Sequence, residues 1–192
     1  MNISEEIKES ILVKTNLLND KKLIIVIEKL ANLCLESIKN GGKIIFAGNG
    51  GSFADSQHLT AEFVSRLRFD RSPLSSVALG TNSSTMSAIG NDYGYENVFK
   101  RELIALGNER DIFIPISTSG NSLNIILAIE EAKKMNIKTV VLTGKNGGKI
   151  KSISECICVP SDRTERIQES HILIGHIICG LVEENYFKKS KL

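Results

Sequence analysis

A chain of 192 residues, 42% hydrophobic and 24% charged, has the size and composition of one soluble globular domain, which excludes a disordered or fibrous class. Its 24 Lys+Arg against 22 Asp+Glu leave a net charge of +2, too small a surplus to hold nucleic acid by counterion release. The longest apolar stretch, Ile172 to Val182, falls far short of the roughly 18 residues of a membrane span, and Met1 to Ser10 carry Glu5, Glu6 and Glu9 in place of a secretory signal, so a cytoplasmic protein with no membrane or nucleic-acid partner is expected.

From the amino terminus, residues 4 to 18 and 21 to 39 have helical apolar spacing, with Leu23, Ile27, Leu30, Cys34 and Ile38 on one stripe and Gly41-Gly42 as a stop. The period then changes. Short apolar, β-branched runs at 43 to 47, 75 to 79, 111 to 117, 138 to 143 and 155 to 159 predict five strands. Helical segments at 52 to 67, 83 to 105 with a break at Gly90 to Gly94, 121 to 135, a short one at 147 to 153, and 163 to 187 fall after the strands. This alternation predicts an α/β fold, a doubly wound five-stranded parallel sheet with helices on both faces. No repeat or linker divides it, so 1–192 reads as one domain, with N-terminal helices over 1–40, an α/β core over 41–187 and a basic tail over 188–192. Cys34, Cys156, Cys158 and Cys179 show neither a C-x-x-C pair nor zinc-finger spacing and read as reduced core residues.

In such sheets ligands bind at the carboxyl ends of the strands. The first strand runs into Gly48-Asn49-Gly50-Gly51-Ser52 and a helix, a layout that suits an anion at a helix N-terminus and equally suits a glycine turn with Ser52 as N-cap. It is neither a P-loop nor G-x-G-x-x-G, because Phe53 stands where the last glycine would be. The third strand ends in Ser117-Thr118-Ser119-Gly120-Asn121-Ser122. Four hydroxyls beside a glycine at a helix start point to phosphate, held by hydroxyl and backbone donors without a basic residue.

On the helix after the first loop, His58 and Glu62 are four residues apart and share a face, with Ser52 and Asp55 on the turns toward the loop. On the last helix, Gln168 and His171 precede His176, the odd residue in an apolar run. If the two helices flank one pocket, His58, Glu62, Gln168 and His176 offer the N and O ligands that zinc accepts.

Taken together, Gly48-Asn-Gly-Gly-Ser52, Asp55 with His58 and Glu62, Gly90-Asn-Asp-Tyr-Gly94, Ile116-Ser-Thr-Ser-Gly-Asn-Ser122, Leu142-Thr-Gly144 with Gly147-Gly148, and Arg166-Ile-Gln-Glu169 resemble the sedoheptulose 7-phosphate isomerase (phosphoheptose isomerase) family of sugar isomerase (SIS) domains, over residues 40 to 187. The resemblance implies an αβα sandwich, a homotetramer with active sites at subunit boundaries, and one bound Zn2+ per subunit. By position it implies His58, Glu62, Gln168 and His176 as zinc ligands and Ser52, Ser117, Thr118, Ser119 and Ser122 as the phosphate pocket. Asn49, Gly50, Gly51, Asn91 and Asp92 would line the sugar, with Gln168 also facing substrate, and Glu62 and His176 would move the proton. One departure is visible at Glu165, where some members carry Asp.

The implied reaction converts sedoheptulose 7-phosphate to D-glycero-D-manno-heptose 7-phosphate through an enediol, the first step toward nucleotide-activated heptose for surface polysaccharide such as lipopolysaccharide or capsule. A related SIS protein instead serves as a tetrameric adaptor for the replication initiator and lacks the acid/base residues. Glu62 and His176 are both present here, which favours the enzyme. A sugar-phosphate-sensing regulator would need a DNA-binding domain for which this length leaves no room.

Overall fold

The computed structural model describes residues 2–188, so most of the expected basic tail, including Lys189 and Lys191, lies outside the described residues. Two helices lead: α1 (Ile3–Asn19), started by Asn2, whose side chain accepts from the Ser4 amide, and α2 (Lys21–Lys39), capped in the same way by Asp20 on Leu23. Five strands follow, β1 (Ile44–Gly48), β2 (Ser76–Ala78), β3 (Ile112–Ser117), β4 (Lys138–Gly144) and β5 (Glu155–Val159). The intervening helices are α3 (Gly51–Val64), α4 (Ser83–Tyr93), α5 (Val98–Leu106) and α6 (Leu123–Lys134), and α7 (Thr164–Phe187) is the last element among the described residues.

All strands are parallel, in the order β2-β1-β3-β4-β5. Alternate side chains divide between two cores. Ile44, Phe46, Ile114 and Leu142 face Leu30, Leu59, Phe63 and Ile174 on α2, α3 and α7, whereas Ile45, Phe113 and Val141 face Ile89, Phe99, Leu103 and Ile125 on α4, α5 and α6. β1, β3 and most of β4 are buried on both faces, which is why they read as continuous apolar runs in the sequence. Pro115 sits in the central strand β3, and the pairing between β3 and β4 skips Ile114 and Pro115 before resuming at Ile116. A missing N–H is tolerated where no ladder bond is made.

The expected helix over 83 to 105 is two helices. Gly94, with φ of 84°, ends α4 and a 3-10 turn over Tyr95–Asn97 leads into α5, while Gly90 stays helical. Only the single residue that reaches the left-handed region breaks the helix. The expected short helix at 147 to 153 is a 3-10 turn, Gly148–Ser152. The cysteines also divide. Cys34 and Cys179 are buried as expected, but Cys156 and Cys158 are only half-buried, on the face of β5 opposite Ile157 and Val159.

The strand order reverses direction at β1, with β2 on one side and β3 on the other. The loops leaving β1 and β3 therefore open a crevice at the carboxyl edge of the sheet, where α3 and α6 begin.

Candidate active site

Both helix starts at that crevice lack a side-chain cap. The N-cap of α3 is Gly50, not Ser52, and Ser122 precedes α6 without its hydroxyl accepting a first-turn amide. Ser52 lies inside the first turn and is buried. The Ser52, Phe53 and Ala54 amides of α3 already donate to the Asn49 and Gly50 carbonyls, and the Ile125 amide of α6 donates to the Ser122 carbonyl and to Asn124 Oδ1, so it is the positive ends of two helix dipoles aimed at one crevice that favour an anion. In the β3–α6 loop the Ser117 and Ser122 hydroxyls are 3.3 Å apart, and the Gly120 amide donates to the Ser117 hydroxyl at 3.2 Å. The Ser119 hydroxyl accepts from the Asn121 amide at 3.2 Å, and Asn121 accepts from the Lys149 amide at 3.0 Å. The loop is thus braced from below by the β4 loop, where the Gly144 amide also donates to the Thr118 carbonyl at 3.0 Å.

Asn49 joins the two loops. Its side chain and that of Asn124 exchange a reciprocal pair of hydrogen bonds, both 2.9 Å, and the Tyr95 hydroxyl donates to Asn49 Oδ1 at 3.0 Å. Sequence reasoning passed over Asn124 and Tyr95. A buried Asn in the apolar run Leu123-Asn124-Ile125-Ile126 was the available signal, and nothing marks Tyr95. Asn91 and Asp92, by contrast, are exposed on α4 and bonded to one another at 2.8 Å, with no hydrogen bond to either loop among the described residues. Glu165 is also exposed, its carboxylate engaged by Arg163.

α3 and α7 leave β1 and the β5 loop side by side and run parallel. Gly51 meets Gln168 near their starts, Leu59 packs onto Gly175 in the middle, and the Leu67 and Arg68 amides just beyond α3 donate to Glu183 at 3.0 and 2.8 Å. The absence of a Cβ lets the helices approach at two levels: at Gly175 one would strike Leu59, and at Gly51 one would lie 2.9 Å from Gln168 Cδ. Parallel packing brings equivalent turns together, and there His58 Nε2 lies 3.0 Å from His176 Nε2 and 3.1 Å from Glu62 Oε1. The ligand-capable atoms of His58, Glu62 and His176 all fall within 4.8 Å of one another.

Ligands about 2.0–2.1 Å from a tetrahedral ion are spaced roughly 3.3 Å apart, so two imidazole nitrogens and a carboxylate at 3.0–3.1 Å are the donor set and spacing zinc takes. Three protein ligands of this kind leave a further position for a fourth donor such as Gln168. Gln168, about two turns before His176 on α7, lies against Gly51 of the glycine loop. One turn before His58, Asp55 keeps one buried carboxylate oxygen without a hydrogen-bond partner among the described residues. Burial raises its carboxyl above the ordinary carboxylate range, with His58 opposing. The third histidine has a different role: His171 is fully buried, its Nε2 lies 3.2 Å from the Thr143 carbonyl, and burial lowers its pKa to about 4.

The parallel αβα sandwich is that of an SIS domain, whose family matches residues 15–144. Phosphoheptose isomerase of Aneurinibacillus thermoaerophilus is 56% identical over 187 residues, covering 97% of this chain and 94% of its own. Solved structures of phosphoheptose isomerases superpose closely: that from Francisella tularensis has a TM-score of 0.89 at 35% identity over 95% of this chain and 96% of its own, and that from Neisseria gonorrhoeae 0.86 at 40% over 94% and 97%. The chain belongs to the phosphoheptose isomerase family and is an isomerase.

Proposed function

We propose that the protein converts sedoheptulose 7-phosphate to D-glycero-D-manno-heptose 7-phosphate, supplying the first intermediate toward nucleotide-activated heptose for surface polysaccharide. The observation that carries this reading is the convergence of His58, Glu62 and His176 beside two uncapped helix starts. An aldose–ketose interconversion needs a remote anchor, a proton-transfer pair and stabilisation of an enediolate, and each requirement has its residues here.

The Ser52 turn and the hydroxyls of Ser117, Thr118, Ser119 and Ser122 bind the 7-phosphate, with the helix dipoles in place of a basic side chain. Asn49, Gly50 and Gly51 orient the sugar chain between the two loops. Glu62 and His176 take the proton from C1 and deliver one to C2, a carboxylate and an imidazole being the groups most readily tuned to neutral pH. Gln168 holds the reacting end of the substrate against the cluster. A zinc ion bound by His58, Glu62, Gln168 and His176 would supply Lewis-acid polarisation of the substrate oxygens, whichever of Glu62 and His176 moves the proton being free of the ion as it does so. Asn91 and Asp92, exposed on α4, suit a pocket completed in an assembled homotetramer, and the exposed stripe Ile3, Ile7, Ile11 and Leu18 of α1 supports self-association. No helix among the described residues is long and apolar enough to cross a membrane, in keeping with an enzyme of cytoplasmic sugar phosphates.

The test is to incubate the purified protein with sedoheptulose 7-phosphate in deuterated water. The expected product is the aldose 7-phosphate carrying deuterium at C2, formed only while the protein retains its metal. Absence of any aldose phosphate from metal-replete protein would overturn the reading.

A further inference from the structure

The amino-terminal half of α1 is docked by its polar residues. Before Val13, only Glu6, Glu9 and Ser10 are partly buried, whereas Ile3, Ile7 and Ile11 face outward. An ordinary surface helix does the reverse. The partly buried residues, with Lys14, all meet the start of α7. Arg166, 9% exposed, donates to Glu6 at 3.3 Å and to Glu169 at 2.7 Å. Glu169 in turn accepts from the Ser10 hydroxyl at 2.6 Å and from Lys14 at 3.1 Å. Arg163, at the N-cap of α7, donates to Glu6 at 2.9 Å and also to Glu9.

Between Arg166 and Glu169 stands Gln168. At about 100° per residue it projects from the side of the helix opposite Arg166, where it lies against Gly51. The first two turns of α7 are therefore gripped between α1 on one side and the glycine loop on the other. Each ion pair is partly exposed and contributes little singly, but Glu6 and Glu169 are each shared by two cationic side chains, which makes the contacts one network.

We propose that Arg166 and Glu169 are positioning residues: docked on α1 through Glu6, Ser10 and Lys14, they fix the turn of α7 that carries Gln168 and so set where its amide lies in the crevice. What Gln168 does there, binding zinc and the reacting end of the substrate, rests on the proposed isomerase function. α1 itself touches neither, and acts only through the placing of Gln168.

The full chain carrying Glu6→Gln with Ser10→Ala, which cuts one α1 bond to each positioning residue, is compared with Gln168→Ala and with the triple variant. Two quantities are measured: kcat and KM on sedoheptulose 7-phosphate, and zinc affinity by competition with a chromophoric chelator. The α1 double variant should lose about tenfold in kcat/KM, mostly in kcat, and about tenfold in zinc affinity, with helix content unchanged by circular dichroism. In the Gln168→Ala background the same two changes should cost nothing further, because the group they act through is gone. A merely structural clamp gives equal losses in both backgrounds, so additive effects overturn the proposal, as does wild-type behaviour of the double variant. If the double variant fails to fold, Lys14→Met removes one donor to Glu169, keeps the apolar stem and carries the same cycle, with a loss of about threefold expected. A wild-type chain that binds zinc without isomerising the sugar overturns the isomerase reading alone, and the zinc cycle then decides the role of α1. Turnover without zinc binding leaves the kinetic cycle to decide it, and absence of both overturns the proposal, since Gln168 then has nothing to be positioned for.

Discussion

The two ends of the α3–α7 pair are built on opposite plans. At the carboxyl end Glu183, 1% exposed, accepts from the Leu67 and Arg68 amides and from Arg71 Nε at 2.9 Å, and Arg71 also donates to the carbonyls of Glu62, Phe63, Ser65 and Ser72. There the polar groups of the clamp are multiply paired. Next to it, midway along the pair, the side chains of His58, Glu62 and His176 bond only to one another among the described residues, and at the amino end the first turn of α3 has no side-chain cap. A satisfied ionic clamp fixes the helices, so that under-satisfied groups one to three turns away stay poised for a ligand.

The sharpest way to break this contrast is to substitute one residue from each side of it. Glu62→Gln keeps the shape of the upper cluster and removes its carboxylate; turnover should fall by about 10²–10⁴, with a thermal midpoint close to wild type by circular dichroism. Glu183→Ala should do the reverse in kind. It leaves Arg71 buried without its carboxylate, and denaturant unfolding should report a loss of about 3–5 kcal/mol. Equal effects of both changes on stability would erase the proposed division of labour.

A third measurement uses the histidine outside the cluster. The folded His171 pKa, about 4, is below the ordinary 6.5, so between those values the unfolded chain binds a proton that the folded chain refuses. Stability should be full above about pH 6.5 and decline as pH falls toward 4, by on the order of 3 kcal/mol. Unfolding curves across that window, compared with His171→Gln, should show a shallower slope in the variant. The smallest change is Gly51→Ala. Its new Cβ meets the flexible end of Gln168 and not backbone, so stability should barely move while kcat/KM falls about tenfold through displacement of Gln168.

Much of the fold was legible because each local signal agreed with its neighbours. Runs such as Lys43 to Ala47 and Asp111 to Ser117, separated by helical periods, admit little but a parallel sheet, and the glycine and hydroxyl loops announce themselves at the strand ends. The reading of Ser52 as an N-cap failed because serine at a helix start is locally ambiguous, and only the observed start at Gly51 shows that its hydroxyl lies within the first turn. Asn91 and Asp92 stand exposed on α4, where this chain alone gives them no partner from either loop.

What the sequence by itself determined is chemistry at fixed spacing: His58 and Glu62 on one helical face, Gln168 and His176 on another, and four hydroxyls at the end of one strand. Periodicity dictates which residues share a face of one element, because that depends on only a few successive backbone angles. Which of three histidines meets which depends on how elements more than 100 residues apart are laid side by side. His176 was the one expected to need an explanation, yet His171 is the buried structural histidine and His176 meets His58 at 3.0 Å. The strand order and the close approach of α3 and α7 at Gly51 and Gly175 decided that, since a contact across the sheet is set by packing and leaves no trace in the local pattern.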